Sequence, residues 1–413
     1  MLYRQMPKSG DRLSILGFGC MRLPERRGKI VEDRGVRQIR DAIDRGVNYL
    51  DTALPYHMGA AEPFLARALA GGYRERVRLA TKLPPWSVKR REDMDAILAS
   101  QLERLGTDRI DYYLVHALKA ASWKKMKALG VREFLDAAVA DGRIGSAGFS
   151  FHADTETFKQ IIDEYDWTCA LVQYSFLDEH NQAGIEGIRY AAGKQVGVIV
   201  MEPLRGGKLA QVVPDEVAAI WNEADVKRPP VEWALRWVWN HPEVIVALSG
   251  MNEEAHVDQN VRIAGEAEPG SLTEAELALV GRAAAAYRRR MKAGCTGCRY
   301  CMPCPHGVDI PGCLEALDTL SLTGDRSVQR INYIMRVGGI MNDDEPAYAS
   351  YCQECGKCVA ACPQQIPIPE RLKETARQLE GPMTTFLKWG TKAFLAMQRR
   401  GANRLARRRR GKG

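Results

Sequence analysis

Four polar residues close apolar runs in the first third of the chain. Leu50-Asp51-Thr52-Ala53 ends one run with a carboxylate, and Tyr56 follows shortly after. Leu79-Ala80-Thr81-Lys82 ends a second with an ammonium, and Tyr113-Leu114-Val115-His116 ends a third with an imidazole. A phenol, with a pKa of about 10, gives up its proton poorly at neutral pH. A nearby ammonium favours the phenolate and lowers that pKa. A carboxylate anchors the ammonium, and a neutral imidazole orients a carbonyl oxygen beside the phenol. Tyr56 as acid, Lys82 as its tuner, Asp51 as the partner of Lys82 and His116 as the orienting group therefore suit the protonation of a carbonyl that receives hydride. Any one of them alone reads as an ordinary loop residue; their recurrence at successive strand ends is the signal.

A second chemistry lies further on. Eight of the 11 cysteines fall in two runs, Cys295-x2-Cys298-x2-Cys301-x2-Cys304-Pro305 and Cys352-x2-Cys355-x2-Cys358-x3-Cys362-Pro363. Packing at two-residue gaps reads as metal ligation rather than a disulfide framework. Thiolates at these gaps can wrap three corners of an iron–sulfur cubane. Paired C-x2-C units also suit tetrahedral zinc, but the third and fourth Cys of each run and the following Pro favour iron–sulfur. Cys313 reads as a buried thiol rather than a ligand, and Cys20 and Cys169 as small core residues.

The elements that must position these groups are legible as periodicity. Eight short β-branched runs lie around 14–20, 47–51, 77–82, 111–116, 144–149, 169–174, 196–201 and 244–249. Amphipathic stretches separate them, among them Val36, Ile39 and Ile43, and a stretch over 92–105 with Met94, Ile97, Leu98 and Leu102 on one side. Strands alternating with helices predict a parallel sheet. Eight such units predict a closed (β/α)8 TIM barrel, an α/β fold whose strand ends converge on one face. A covering helix is predicted over 261–291, and the cysteine region should be mainly helix and turn. The expected organisation is a barrel over 1–290, a small mainly helical iron–sulfur domain over 291–376, and a tail over 377–413.

Composition adds the bounds. The 413 residues are 46% hydrophobic and 27% charged, ordinary for a globular protein and unlike a collagenous or disordered chain. The net charge of +8 sits in the last 17 residues, which hold seven Arg, one Lys and no acid, so the body is neutral and no nucleic-acid partner is expected. Residues 383–398 carry Met383, Phe386, Leu387, Trp389, Phe394 and Met397 on one broad arc of a helical wheel. That arc and the cationic run after it suit a membrane surface, an acidic partner or simple packing on the domain. MLYRQMPKSG precedes no apolar signal core, and no apolar run reaches the length of a membrane span. The expected location is the cytoplasm, with the tail able to meet the inner face of the membrane.

The Asp51, Tyr56, Lys82 and His116 set resembles the aldo-keto reductase family, and the resemblance covers about residues 1–285. Gly145-Ser146-Ala147-Gly148-Phe149-Ser150-Phe151-His152 looks like the family's fifth strand end, which implies that Ser150 and His152 hold the nicotinamide carboxamide. Val200-Met201-Glu202-Pro203-Leu204-Arg205-Gly206-Gly207 looks like its seventh strand and turn, and Ser249-Gly250 with Asn260 like its eighth-strand loop and helix. The resemblance thus implies cofactor contacts from Pro203, Leu204, Gly206, Gly207, Ser249, Gly250 and Asn260. The family's usual Gln before the sixth-strand Tyr174 is Leu171 here, which leaves Gln173 and Tyr174 as the candidates. The positions that usually supply cations to a 2′-phosphate hold Gly250, Met251 and His256, so NAD(P)H binding is implied without the usual grip on NADP.

The cysteine region is similar to the α-helical ferredoxin module of succinate dehydrogenase and fumarate reductase iron–sulfur subunits. In two-cluster ferredoxins the fourth Cys of each run ligates the other cluster. This implies one [4Fe-4S] cluster on Cys295, Cys298, Cys301 and Cys362, and a second on Cys352, Cys355, Cys358 and Cys304. The expected function is an oxidoreductase that exchanges hydride between NAD(P)H and a small carbonyl or alcohol, coupled through two clusters to a ferredoxin or other one-electron carrier. Hydride carries two electrons and a cluster takes one, so a splitter such as flavin is conceivable, although no flavin fingerprint is present. The alternative is a non-catalytic nucleotide-binding redox sensor or electron-carrier subunit. Trp86, Trp123 and Phe151 are candidates for an aromatic substrate pocket.

Overall fold

The computed structural model describes residues 1–26, 28–211, 213–338 and 345–381. The tail pattern over 383–398 and the basic run after it lie outside the described residues. Eight parallel strands form a closed barrel: β1 (Leu16–Gly19), β2 (Tyr49–Asp51), β3 (Arg78–Leu83), β4 (Ile110–Leu118), β5 (Ile144–Phe151), β6 (Cys169–Gln173), β7 (Gly197–Met201) and β8 (Val244–Ser249). Each pairs with the next in sequence, and β8 closes on β1 through Ala247, Leu248 and Ser249. All eight anticipated strands are present, because each apolar run is short and bounded by turn residues.

Alternate residues fill the barrel, as the two-residue pleat requires. Tyr49, Ala80, Tyr112, Leu114, Cys169, Leu171, Ile199 and Val246 meet in one interior cluster. An N-terminal hairpin of Tyr3–Gln5 and Arg12–Ser14 adds Met6 and Leu13 to the same cluster, closing the floor. Gly197 is what lets Met6 in, since a Cβ there would collide with the Met6 sulfur. Cys20 and Cys169 are fully buried, as small core residues should be.

Helices follow the strands. Helix α1 spans Glu32–Asp44, α2 Ala61–Ala68 and α3 Glu92–Leu105. Helix α3 shows why the sequence folds locally. Its first turn carries Glu92, Asp93 and Asp95, its buried face is Met94, Leu98, Gln101 and Leu105, and Gly106 ends it in the left-handed region at φ 61°. The covering helix expected over 261–291 is instead two helices, α4 (Glu254–Ile263) and α5 (Glu274–Arg290). Gly265 and Pro269-Gly270 lie between them and interrupt the helical pattern.

The described residues divide into two compact units, Met1–Ala210 with Ile220–Ala284, and Gln211–Ala219 with the described residues from Ala285 onward. Assignment of 211–219 to the second unit has no counterpart in the sequence pattern. The second unit is built on α6 (Ile310–Thr323), α7 (Arg326–Val337) and α8 (Ile368–Leu379). Asp309 caps α6 by accepting from the Gly312 N–H at 3.3 Å, and Gly324 terminates it at φ 74°. Its core joins Val308, Ile310, Leu314, Leu320, Tyr333, Tyr348, Ile366 and Leu372 with Cys295, Cys313 and Cys362. No helix among the described residues is long and apolar enough to cross a membrane.

Candidate active site and cysteine-lined cavities

The ends of β2, β3 and β4 bring the four polar residues together. Lys82 Nζ donates to Asp51 Oδ1 at 2.6 Å, to the Thr52 carbonyl at 2.7 Å and to Tyr56 Oη at 3.4 Å. The ammonium also lies 4.9 Å from the centre of the Tyr56 ring. The Tyr56 and His116 rings meet edge to face with centroids 6.4 Å apart. Asp51, Lys82 and His116 are buried, while Tyr56 keeps part of its surface at the barrel mouth.

Burial dominates the electrostatics. It raises the Tyr56 phenol well above its ordinary value of 10; Asp51 adds to the rise, and Arg22 opposes it. The expected lowering by Lys82 is therefore not the net result in the free site, and the phenol is held as a proton donor. Burial also raises the Asp51 carboxyl, against the pull of the Lys82 charge. His116 falls well below 6.5, first through burial and then through the Lys82 charge, so the imidazole is neutral.

A buried network behind the site escaped the sequence reading. Glu62 has no exposed surface and accepts from Thr81 Oγ1 at 2.8 Å, Gln101 Nε2 at 2.8 Å and Arg104 Nε at 2.9 Å. Gln101 also donates to the Lys82 carbonyl at 3.1 Å and accepts from Tyr113 Oη at 2.8 Å. Arg104 reaches the Gly59 carbonyl, in the turn that carries Tyr56. One carboxylate on α2 thus ties the backbone of Lys82 to the loop of Tyr56. The available signal was a polar residue on an apolar face: Gln101 interrupts the Leu98 and Leu105 stripe.

The residues implied for cofactor contact are placed as follows. Ser150 Oγ accepts from the Ala117 N–H at 2.7 Å, holding the irregularity in β4 that follows His116. His152 Nδ1 lies 3.1 Å from Gln182 Oε1, and Gln182 Nε2 donates to Gln173 Oε1 at 3.0 Å, so His152 and Gln173 share a buried polar chain. Tyr174 does not join them. It faces the other side of β6, lies tilted against Trp237 with ring centroids 5.0 Å apart and shares a 3.2 Å hydrogen bond with His241 Nε2. Leu171 belongs to the barrel interior.

Pro203, Leu204, Gly206 and Gly207 form the turn after β7. Arg205, Gly206 and Gly207 are successively left-handed at φ 47°, 73° and 92°, and Glu202 also has positive φ. Non-glycine residues rarely adopt this region; here Glu202 is held by Arg22 at 3.2 Å and Arg205 by Asp178 at 3.5 Å. Asn260 Nδ2 donates to Ser249 Oγ at 2.9 Å, and Gly250 sits close against Arg22.

The pocket candidates divide. Trp86 is half exposed and lies 5.1 Å from the His116 ring, at the mouth. Trp123 and Phe151 are core residues: Trp123 packs on Trp167 and donates to Glu164 Oε2 at 2.6 Å, and Phe151 packs between Phe149 and Phe158.

A nicotinamide dinucleotide fits what remains unsatisfied. Asp51 Oδ2, Thr52 Oγ1, Glu202 Oε2 and Asn260 Oδ1 are buried without a hydrogen-bond partner among the described residues. Each such atom costs about 1–3 kcal/mol, a cost that a polar ligand removes.

Burial depresses His152 to about 4. Its neutral form is retained on folding, while the unfolded chain takes up a proton near pH 6.5. The stability so conferred is present above that pH and lost as pH falls toward the folded value. The slope approaches about 1.4 kcal/mol per pH unit for one group. Between roughly pH 6 and pH 5, urea unfolding of His152→Asn should therefore lose about 1 kcal/mol less than that of the parent protein. Parallel losses would show that His152 is protonated in the fold.

In the second unit the thiols surround two cavities. One, of about 180 Å³, is lined by Cys301, Cys304, Cys352, Cys355 and Cys358. The other is lined by Cys295, Cys298, Cys301 and Cys362. The Gly297 N–H points at Cys295 Sγ and the Glu354 N–H at Cys352 Sγ, both at 3.4 Å, so the two runs share a local geometry. Among the described residues no three His, Cys, Asp or Glu side chains converge on a single-ion position. Five thiols around the first cavity and four around the second, with Cys301 lining both, instead suit a larger group, and the donor set fits a [4Fe-4S] cubane. Cys313 is fully buried beside Tyr333, away from both linings.

Residues 15–276 match the model described as "Aldo/keto reductase family", and residues 294–367 match "4Fe-4S dicluster domain". Methylglyoxal reductase YeaE of Escherichia coli is 30% identical over 261 residues, covering 60% of this chain and 84% of its own length. An aldo-keto reductase from Bacillus halodurans in its holo form superposes with a TM-score of 0.58 at 26% identity, covering 68% of this chain and 96% of its own. An aldo/keto reductase from Klebsiella pneumoniae in complex with NADP and acetate gives 0.55 at 25% identity, covering 68% and 95%.

Proposed function

Because the chain belongs to the aldo/keto reductase family and carries an appended 4Fe-4S dicluster domain, we propose that it is an oxidoreductase that exchanges hydride with a small carbonyl or its alcohol and relays electrons through two [4Fe-4S] clusters to or from a partner. The observation that carries this reading is Lys82 within 2.6 Å of Asp51 and 3.4 Å of Tyr56 Oη, with neutral His116 alongside.

When bound, the nicotinamide supplies or accepts the hydride. The chain's own residues handle the proton. In the reducing direction the carbonyl oxygen gains charge beside Tyr56, which gives up its phenolic proton to that oxygen. Lys82 stabilises the phenolate left behind, and Asp51 with the Thr52 carbonyl fixes the ammonium during the transfer. His116, neutral, orients the carbonyl oxygen. The phenolate regains a proton from solvent through the partly open mouth. Trp86 lies beside His116 at that mouth, and a small carbonyl is proposed as substrate because the relative from Escherichia coli is described as a methylglyoxal reductase.

The nucleotide is proposed to be NADH. Arg34 Nε donates to Glu254 Oε1 at 2.9 Å, and its Nη2 binds Glu253 and Glu254. These acids stand at the start of α4, after the loop where a 2′-phosphate is expected, and the Arg34 hydrogen bonds hold Glu254 down to about 2. Two carboxylates there repel a phosphate and can accept from ribose hydroxyls. NADH should therefore exceed NADPH in kcat/KM, and Glu253→Gln with Glu254→Gln, which also frees the Arg34 guanidinium, should narrow or reverse the ratio.

The experiment is anaerobic purification with iron and sulfide counts, followed by addition of NADH or NADPH while cluster absorbance is recorded. Rapid bleaching, faster with NADH, is the expected result, one NADH passing to NAD+ and a proton while its two electrons reduce two clusters by one electron each. Bleaching only by a strong chemical reductant would sink the proposed path from nicotinamide to cluster.

A further inference from the structure

Asp318 stands in the middle of α6 with no exposed surface. A buried carboxylate is costly unless hydrogen bonds compensate. Here they come from four consecutive backbone amides. The Lys292, Ala293 and Gly294 N–H groups donate to Oδ1 at 3.2, 2.7 and 3.1 Å, and the Cys295 N–H donates to Oδ2 at 3.3 Å. One side chain thus gathers the segment that leads into the first cysteine of the first run.

The second run is led in differently. The Ala349 N–H donates to Tyr333 Oη at 2.8 Å and the Ser350 N–H to Glu380 Oε1 at 3.0 Å, while Tyr351 and Cys352 bond to backbone carbonyls. The thiols differ in exposure too: Cys295 and Cys362 are buried, whereas Cys355 is exposed. Charge, hydrogen bonding and solvent exposure all set a cluster's reduction potential.

We infer that Asp318 is a positioning residue for the cluster held by Cys295, Cys298, Cys301 and Cys362: it sets the 292–295 backbone so that Cys295 presents its thiolate, and its charge keeps that cluster the harder of the two to reduce. The inference rests on the two-cluster reading above. An amide replaces the carboxylate only in part: its oxygen can take the three bonds to Oδ1, but its NH2 then faces the Cys295 N–H, and the charge is lost.

The test uses the full-length protein, purified anaerobically, with iron and sulfide counts and a redox titration followed by electron paramagnetic resonance. The parent chain should hold about eight irons and show two midpoints; four or fewer overturns the two-cluster reading and this inference with it. Asp318→Asn should lose about half the iron, or keep it with only the lower midpoint moved to a less negative value. Asp325→Ala, which removes the cap that accepts from the Val328 N–H at 3.0 Å, should leave iron and both midpoints as in the parent. Should the amide variant not fold, Asp318→Glu carries the test. It keeps the charge but displaces the loop by one methylene, so it should alter the spectrum of one cluster alone. Unchanged iron and midpoints in Asp318→Asn, unchanged spectra in Asp318→Glu, or equal losses in Asp325→Ala overturn the inference while leaving the two-cluster reading intact.

Discussion

Replacing Tyr56 with Phe is expected to lower kcat for carbonyl reduction by on the order of 10²–10⁴-fold while iron content stays that of the parent. The substitution removes one oxygen. The ring keeps its edge-to-face contact with His116 and its place over Lys82, so the fold has no reason to change. What disappears is the only member of the set held as a proton donor toward the mouth. Lys82→Met is a poorer experiment, because it leaves Asp51 as a buried charge without its 2.6 Å partner. Removing one member of such a pair costs about 3–5 kcal/mol of stability, which would blur a kinetic effect. The Tyr56→Phe result also separates two kinds of protein. A nucleotide-binding sensor would bind NADH equally well with and without the hydroxyl and would show no turnover to lose. Measured turnover of a small carbonyl by the parent chain, lost in the variant with NADH binding retained, excludes that reading.

Much of this site was legible in the sequence because its signals are local. Asp51, Lys82 and His116 each end an apolar run, and a closed parallel barrel brings such ends together whatever the loops do. The cysteine runs carry their own spacing. What was not legible depends on facing and on burial. Gln173 and Tyr174 are adjacent, yet the strand pleat sends one into the His152–Gln182 chain and the other against Trp237. Trp123 and Phe151 have the composition of a pocket, but their neighbours Trp167 and Phe158 make them core. Glu62 and Asp318 look like ordinary helical acids. Each sits on the apolar face of its helix, Glu62 beside Phe64 and Leu65, Asp318 beside Leu314 and Leu317, and that displacement was the sign that both are buried and bonded.

The sharpest test of the second unit is which cluster each outlying cysteine serves. Cys304 follows the first run in sequence, yet it lines the cavity of Cys352, Cys355 and Cys358, and Cys362 lines that of Cys295, Cys298 and Cys301. The electrostatic neighbours agree: the Cys301 thiol is raised to about 12, chiefly by burial, with further contributions from Cys298, Cys295 and Cys362, and Cys358 is raised by burial with contributions from Cys352, Cys355 and Cys304. Cys304→Ser alone is expected to cost about half the iron, but that loss does not say which cluster went. Pairs of substitutions do, because two losses at one cluster are not additive, whereas losses at separate clusters are. Cys304→Ser with Cys355→Ser should still hold about four irons per chain, and Cys304→Ser with Cys298→Ser should hold almost none. The mirror pair follows: Cys362→Ser with Cys298→Ser keeps half the iron, and Cys362→Ser with Cys355→Ser loses it all. The reverse pattern would mean that each run closes on its own fourth cysteine. The two-residue gap before Cys304 would then have to let its thiol turn back toward Cys295 and Cys298, away from the cavity it lines.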